Sequence, residues 1–576
     1  MFLNLLRGRH AGLGRSSAAV GSAAVLLTYF MAAGASPAAV AASSPTSYAP
    51  TPATIHAINS TSTFPFKGIP ASTKNTFALA SGERVQGDAG GDDGSPIFGT
   101  GLGAPAALGL SKVSGNPQVT ASYDGLSNTW NDSLNGFELT PPDQGLCSGY
   151  DPTLAGDPKV VFEVINDVGE EIYPNGTLAR PVFSLAQLFD DPYAEGDVRC
   201  FYDTDTKAFY FSEIGASLSI GAYITDVGVL NKQGRYTVYQ VDTSLGGVEF
   251  PDQPTLGFDK NNIYLSTNEF NNYTNNYDGS VIFAISKSQL NQEVASPNGV
   301  YFGPLSFEGG PVLSTAPTIN TQANDEYLLN SNPYDASGNN LASSNTLGLW
   351  EVTGGMWIDS GRYDRVGLQS SILNTETYGF PVDAQSTGTG AVNSNGITSE
   401  AALNPDDDRM LQVIGTGNGG DERLYAALTT DITPAGDSSV RDGAAWFQIR
   451  PTFKTPVENQ GYVSVAGEYL IYPAIYPTSQ GNTMAFTITS PSINPSAGYS
   501  VTDNKGNFST VNTIATGYGA HYSFSDYFYA EARWGDYSAA ALDPNGKTVW
   551  MATEYIPPTS EWGTADNWGT YIWSVH

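Results

Sequence analysis

Hydrophobic positions in this chain recur as short runs led by polar turns rather than at helical spacing. The unit is a turn rich in Asp, Asn, Pro or Gly followed by a β-branched or aromatic stretch, a pattern that predicts strand. It reads "GDPKVVFEV" at Asp157, "YDTDTKAFYFSE" at Asp203, "FDKNNIYLSTNEF" at Asp259 and "INTQANDEYLLNS" at Asn320. It returns as "LNPDDDRMLQVIG" at Asn404, "YPTSQGNTMAFTIT" at Tyr476 and "LDPNGKTVWMATEY" at Asp543. Successive anchors lie 46, 56, 61, 84, 72 and 67 residues apart, and the longest interval holds an insertion, "AQSTGTGAVNSNGITS". Repeats of roughly 40–50 residues with four short strands are what a β-propeller blade needs, and insertions fall in its loops. The pattern therefore predicts an all-β fold, one β-propeller domain over residues 116–576. Seven blades is the simplest count, with six or eight as alternatives. The final "GTYIWSVH" alternates well enough to be a strand closing the ring against residues near 116–140, which would leave no open sheet edge.

Upstream the pattern changes. Arg7, Arg9 and Arg15 precede the apolar run "AAVGSAAVLLTYFMAAGA" and then "AVA" at Ala39 to Ala41, which reads as a secretory signal over residues 1–41. The uninterrupted apolar part is shorter than the ~20 residues a membrane span needs, so an anchor is the weaker reading. No later segment suits a span, so none is expected after signal cleavage. Residues 42–115 are rich in Ala, Ser, Thr, Pro and Gly and hold too few large apolar side chains for a core. They read as a low-complexity leader that packs partly on the propeller.

Composition narrows the class. The 63 glycines and 35 prolines punctuate the chain, while 32 tyrosines and 26 phenylalanines supply strand chemistry. Only 14% of residues are charged and the formal net charge is −32. A basic patch for nucleic acid or anionic lipid is thus disfavoured, and the expected partners are an extracellular polysaccharide or a cell-surface protein. Cys147 and Cys200, an even count in an exported chain, are expected to form a disulfide. With only those two and His56, His521 and His576 outside the signal, a zinc or iron site is not expected. A Ser-His-Asp triad would depend on His521, and no G-x-S-x-G elbow accompanies it.

The segments "LCSGYDPTLAGDPKVVFEVIN", "STNEF", "PSINPSAGYSV" and "RWGDYSAAALDPNGKTVWMATEY" resemble a family of exported bacterial proteins with a propeller-like repeat. The resemblance covers residues 116–576 and is most specific in the last third. It implies secretion and a propeller, and it carries no established activity.

The last of those segments, Arg533 to Tyr555, also holds the candidate chemistry. Its second half is a repeat unit, "LDPNGK" feeding "TVWMATEY", with Trp550 and Tyr555 as packing residues. Its first half, "RWGDYS", reads two ways. Asp536 could pair with Arg533 and accept hydrogen bonds from a neighbouring turn. Alternatively, Asp536 faces the axis as a catalytic acid, with Arg533 and Trp534 meeting a ligand. Glu213, Glu269 and Glu554 end the same repeat strand in "YFSEI", "TNEF" and "ATEY", so repeat symmetry would bring them with Asp536 around one end of the axis. Two carboxyls roughly 5–9 Å apart are the minimum for glycoside hydrolysis, which makes Asp536, Glu554 and Glu269 catalytic candidates. A carboxylate ring also suits calcium, the one cofactor foreseen, with Glu213 among its members. "NPDDDR" and "GDAGGDDG" have acidic-loop composition without EF-hand spacing. The runs "NEFNNYTNNYDG", containing Tyr273 and Tyr277, and "HYSFSDYFYAEARW" suit sugar or protein contacts if exposed, and packing between blades if not.

The sequence thus points to a secreted binding or surface-structural protein that holds a carbohydrate or protein ligand through loops on one propeller face. The alternative is a polysaccharide-active glycoside hydrolase with a carboxylate pair in the axial pocket. A deep pocket holding two carboxylates would favour the enzyme, and a plugged channel the binding protein.

Overall fold

A computed structural model describes residues 47–61, 64–65 and 119–576, apart from 137–138, 195, 218–220, 308–309, 333–340, 342, 393–395, 453, 480, 503–505, 524–531 and 559–565. The expected signal and most of the expected leader, "GDAGGDDG" included, lie outside the described residues.

Strand accounts for 55% of the structure and helix for 6%. Runs such as "KVVFEVI" at Lys159–Ile165 are buried along almost their whole length, because each sheet is covered on both faces and needs apolar side chains on both. Among the described residues, seven four-stranded antiparallel meanders follow one another along the chain. Their first strands are Gly145–Tyr150, Gly196–Asp203, Glu249–Phe258, Ala316–Ile319, Val413–Thr416, Tyr469–Thr478 and Ala539–Leu542. Each first strand touches the next, and the seventh returns to the first, so these strands ring a central axis as in a β-propeller. Apolar cores fill the spaces between successive meanders. One joins Phe162 and Val164 of the first to Phe209 and Phe211 of the second, and another joins Trp550 and Ile572 of the seventh to Leu146 and Val161 of the first.

Closure occurs where the alternation of "GTYIWSVH" places it. Gly569–Val575 pairs antiparallel with Val119–Ser127, which completes the seventh meander with a strand from the other end of the domain. The segment before residue 62 laces the rim. Ser47–Tyr48 pairs with Gly367–Gly379, Thr51–Pro52 with Gly299–Phe302, and Ile55–Thr61 with Tyr236–Val241. Three outer strands that would otherwise be open edges are thereby covered. Phe64 then inserts between the first two meanders against Phe162, Phe183, Phe211 and Tyr236.

One repeat anchor is displaced from its expected place. The turns at Asp203, Asp259, Asn320, Tyr476 and Asp543 lead from a first strand into a second, but "NPDDDR" precedes the first strand of the fifth meander. Asp- and Pro-rich turns serve either end of a strand, so turn chemistry alone does not fix strand order. Cys147 and Cys200 are bonded, with Cα atoms 5.4 Å apart, and join the first strands of the first two meanders. Among the described residues, no helix is long and apolar enough to cross a membrane.

Candidate functional site

The two ends of the axis are chemically different. At one end, where the first strands begin, five non-glycine residues adopt left-handed backbone in five successive meanders: Asp197 (φ 53°), Gln253 (46°), Ser314 (40°), Asp406 (58°) and Tyr472 (54°). Four of these kinks turn a backbone N–H onto a side chain of the preceding meander. Asp197 donates to Asn166 at 2.9 Å, Gln253 to Asp197 at 3.2 Å, Ser314 to Asn268 at 2.9 Å and Tyr472 to Thr429 at 3.0 Å. The Asp536 N–H joins the seventh meander to the first through Asp143 at 2.7 Å, while the Asp406 N–H stays local on Asn404. Strained backbone of this kind persists only where the surroundings over-determine it, and here the reward is a stitched ring.

Side chains tie the same ring across the axis. Arg533 Nη2 lies 3.3 Å from both oxygens of Asp536, whose Oδ2 also accepts from Gln253 Nε2 at 3.4 Å. The Gln253 carbonyl in turn accepts from Arg409, which holds Asp407 at 2.6 Å. Arg199 stacks 3.4 Å over the Tyr537 ring, and the Tyr537 hydroxyl donates to Asp197 at 3.3 Å. Burial, then the nearby Asp536, pushes the Asp143 carboxyl well above the ordinary carboxylate range and raises that of Asp197. Burial, then Asp197, pushes the Asp252 carboxyl up to about 7.

The expected carboxylate ring is only partly assembled. Glu554 is buried and accepts from the Gly535 N–H at 2.5 Å, so it meets the Arg533–Asp536 turn directly. Glu269 accepts from Thr267, and the carboxyls that act on it are Glu249, then Asp252 and Asp242. Glu213 stands apart, opposite Asp226 in the second meander. Equivalent strand ends face the same end of the propeller, but second strands lie off the axis, and of the three only Glu554 meets an axial turn. Trp534 offers no exposed ring: it is buried, donates to Thr487 at 3.1 Å and packs edge-on against His521. Tyr273 is 81% exposed at a hairpin tip, whereas Tyr277 spends its hydroxyl on the Val312 carbonyl at 2.6 Å.

Asp143, Asp197, Asp252, Gln253 and Arg199 were not singled out from sequence, and Arg409 was noted only as the end of the acidic run "NPDDDR". A signal existed: Pro-Asp-Gln occurs at 142–144 and again at 251–253, and Gly-Asp or Pro-Asp precedes three more first strands at Asp197, Asp406 and Asp536.

At the opposite end, the last residues of the first strands and their hairpins line an open cavity of about 420 Å³. Phe201, Tyr202, Tyr425 and Tyr476 border it with their rings, Phe258 lies behind with its ring buried in the core, and Ser148, Thr204, Asn320, Gln322 and Thr416 contribute hydroxyls and amides. Among the described residues, no Asp, Glu, Lys, Arg or His is in the lining. Between the two ends lies a separate small cavity of about 20 Å³ beside Gln144, Arg199 and Gln412, room for about one water.

The buried acids set the pH response. Burial pushes Glu163, Asp252 and Glu422 each up to about 7, above the ordinary ~4 of an unfolded chain. The folded state therefore holds protons that the unfolded state releases. That contribution is fully present below about pH 4 and is lost as pH rises to about 7. Glu293 and Glu458, whose values are lowered, titrate below that window. The melting midpoint is expected to fall steadily between pH 5 and pH 7.5, and a midpoint that climbs over the same buffers would contradict it.

No protein-family model and no curated protein matches the chain. Among solved structures, the α-L-arabinofuranosidase Arb93A of Fusarium graminearum aligns over 79% of this chain and 97% of its own, at 8% identity and a TM-score of 0.33. A GH62 hydrolase in complex with xylotriose aligns over 56% and 90%, at 9% identity and 0.23. A Trypanosoma rangeli sialidase aligns over 65% and 53%, at 10% identity and 0.28, so the chain spans about half of that protein's length. At these values no residue role, substrate or activity passes to this chain.

Proposed function

We propose that the protein is an extracellular binding protein for a neutral carbohydrate, seated in the cavity at the hairpin end of the axis. The observation that carries this reading is the lining: aromatic rings of Phe201, Tyr202, Tyr425 and Tyr476 with amides and hydroxyls, and no charged side chain among the described residues. Sugar rings present apolar C–H faces to aromatic side chains and hydroxyls to amides, and a volume of about 420 Å³ lies within the range of roughly 300–1,000 Å³ usual for small-ligand sites. A cavity without a carboxylate pair has no acid and base for cleaving a glycosidic bond. The Cys147–Cys200 bond supports an oxidising, extracellular setting.

The test is a glycan array followed by calorimetry with neutral oligosaccharides. Tyr476→Ala and Gln322→Ala should each weaken binding, the ring loss by about tenfold, which corresponds to ~1.4 kcal/mol. An array silent for neutral glycans, or affinity that survives both substitutions, overturns the reading.

A second reading, a polysaccharide hydrolase at the acid end, is favoured by one observation. Asp252, pushed up to about 7, would serve as a proton donor near Asp536, which lies against Arg533. Release of reducing sugar by the wild type, abolished in Asp252→Asn, would establish it over the binding reading.

A further inference from the structure

Outside the axial ring, the second meander buries three carboxyl groups together. Glu213 and Asp226 stand directly opposite each other on adjacent antiparallel strands, and Asp191 approaches from the loop before the first strand of that meander. One oxygen from each lies within 4.8 Å of the others, and all three residues are buried. Like charges placed opposite each other in a sheet repel, and burial removes the water that would screen them.

Two observations indicate what balances them. Asp226 is fully buried, and no donor reaches hydrogen-bond geometry on either of its oxygens. Its neighbours are the carboxyls of Asp191 and Glu213 and the neutral Gln240 amide, the one donor group that faces it, and none of them is a cation. Second, the three carboxyls converge on one point above the backbone of Gly215. A Cβ there would sit 2.8 Å from Asp226 Oδ2, 2.9 Å from Asp191 Oδ2 and 2.9 Å from Glu213 Oε1. Gly215 has ordinary backbone for an L-residue, so its lack of a side chain is not required by a turn and instead keeps the centre of the cluster open. Asp191 is held in place by the Tyr193 N–H at 2.8 Å and the Ala216 N–H at 3.1 Å.

The geometry points to a calcium site formed by Asp191, Glu213 and Asp226 over Gly215. Calcium takes oxygen ligands at about 2.3–2.6 Å, so oxygens bound to one ion lie up to about 5 Å apart, as these do. The absence of imidazole and thiolate from the cluster disfavours zinc, copper and iron. An ion here would tie the loop before the first strand to the two strands behind it.

The full chain, stripped with EDTA and titrated with CaCl₂, is expected to bind one ion and to melt several degrees higher with calcium than without. Asp226→Asn, which keeps shape and removes one charge, should bind calcium at least tenfold more weakly and lose the calcium-dependent shift. In EDTA it should melt no lower than the wild type, because one of three repelling charges is gone. Should that variant not fold, Gly215→Ala keeps all three carboxyls and puts a methyl among their oxygens, and it should lose the same calcium response. A wild type whose melting ignores calcium, a variant that keeps the full response, or an equal response to MgCl₂ alone would overturn the assignment.

Discussion

Asp536→Ala is expected to lower folding stability by about 3–5 kcal/mol, the usual cost of removing one partner of a buried ion pair. The substitution removes the carboxylate whose Oδ2 lies 3.3 Å from the buried Arg533 Nη2, the foremost of several acidic groups around that guanidinium, and it removes the acceptor that Gln253 uses to span the axis. The damage should spread, because Gln253 also engages Arg409 and its backbone N–H is held by Asp197 in the preceding meander. Urea unfolding of wild type and variant measures the difference. Asp536→Asn, which preserves shape and some hydrogen bonding, should cost less than the alanine. An unchanged urea midpoint in Asp536→Ala would mean that the ring of kinked turns is held by its backbone bonds alone and that Asp536 is free for another task.

Replacing both cysteines by serine is expected to cost about 4 kcal/mol, from the chain entropy of a loop closed over 53 residues. The bond joins Gly145–Tyr150 to Gly196–Asp203, first strands that already touch, and the core between their meanders survives its loss. The variant should therefore fold to the same structure with a lower urea midpoint. Reduction of the wild type under native conditions should give the same decrement. A reduced protein as stable as the oxidised one would show that inter-meander packing alone fixes the first two units.

The sequence determined the class of fold, because the relevant signals are local. "KVVFEVI", "AFYFSEI" and "TVWMATEY" cannot be anything but strands buried on both faces, and the polar turns between them mark the repeat. It also determined the closing strand, since the alternation of "GTYIWSVH" marks a strand that needs a partner, and the disulfide, since only two cysteines exist. Strand order within a repeat was less legible: "NPDDDR" has the same turn chemistry as "LDPNGK" but precedes a first strand rather than a second.

Only the tertiary structure decided which polar groups meet. Repeat position placed Glu213, Glu269 and Glu554 at one end of the propeller, but radial distance and side-chain direction sent Glu213 to Asp226 and Asp191, and only Glu554 to the turn that carries Asp536. Asp143 and Asp536, 393 residues apart, are adjacent because the seventh meander closes on the first. Exposure was equally hidden. Tyr273 and Tyr277 share one Asn-rich run, yet one stands at a hairpin tip in solvent while the other donates to Val312, and Trp534 is sealed against His521. The neutral cavity is a product of ring closure: the repeat marks the ends of its seven first strands, but only closure brings those ends around one space. Local pattern fixes what each segment can become, and the long-range closure of the ring fixes which segments share a wall.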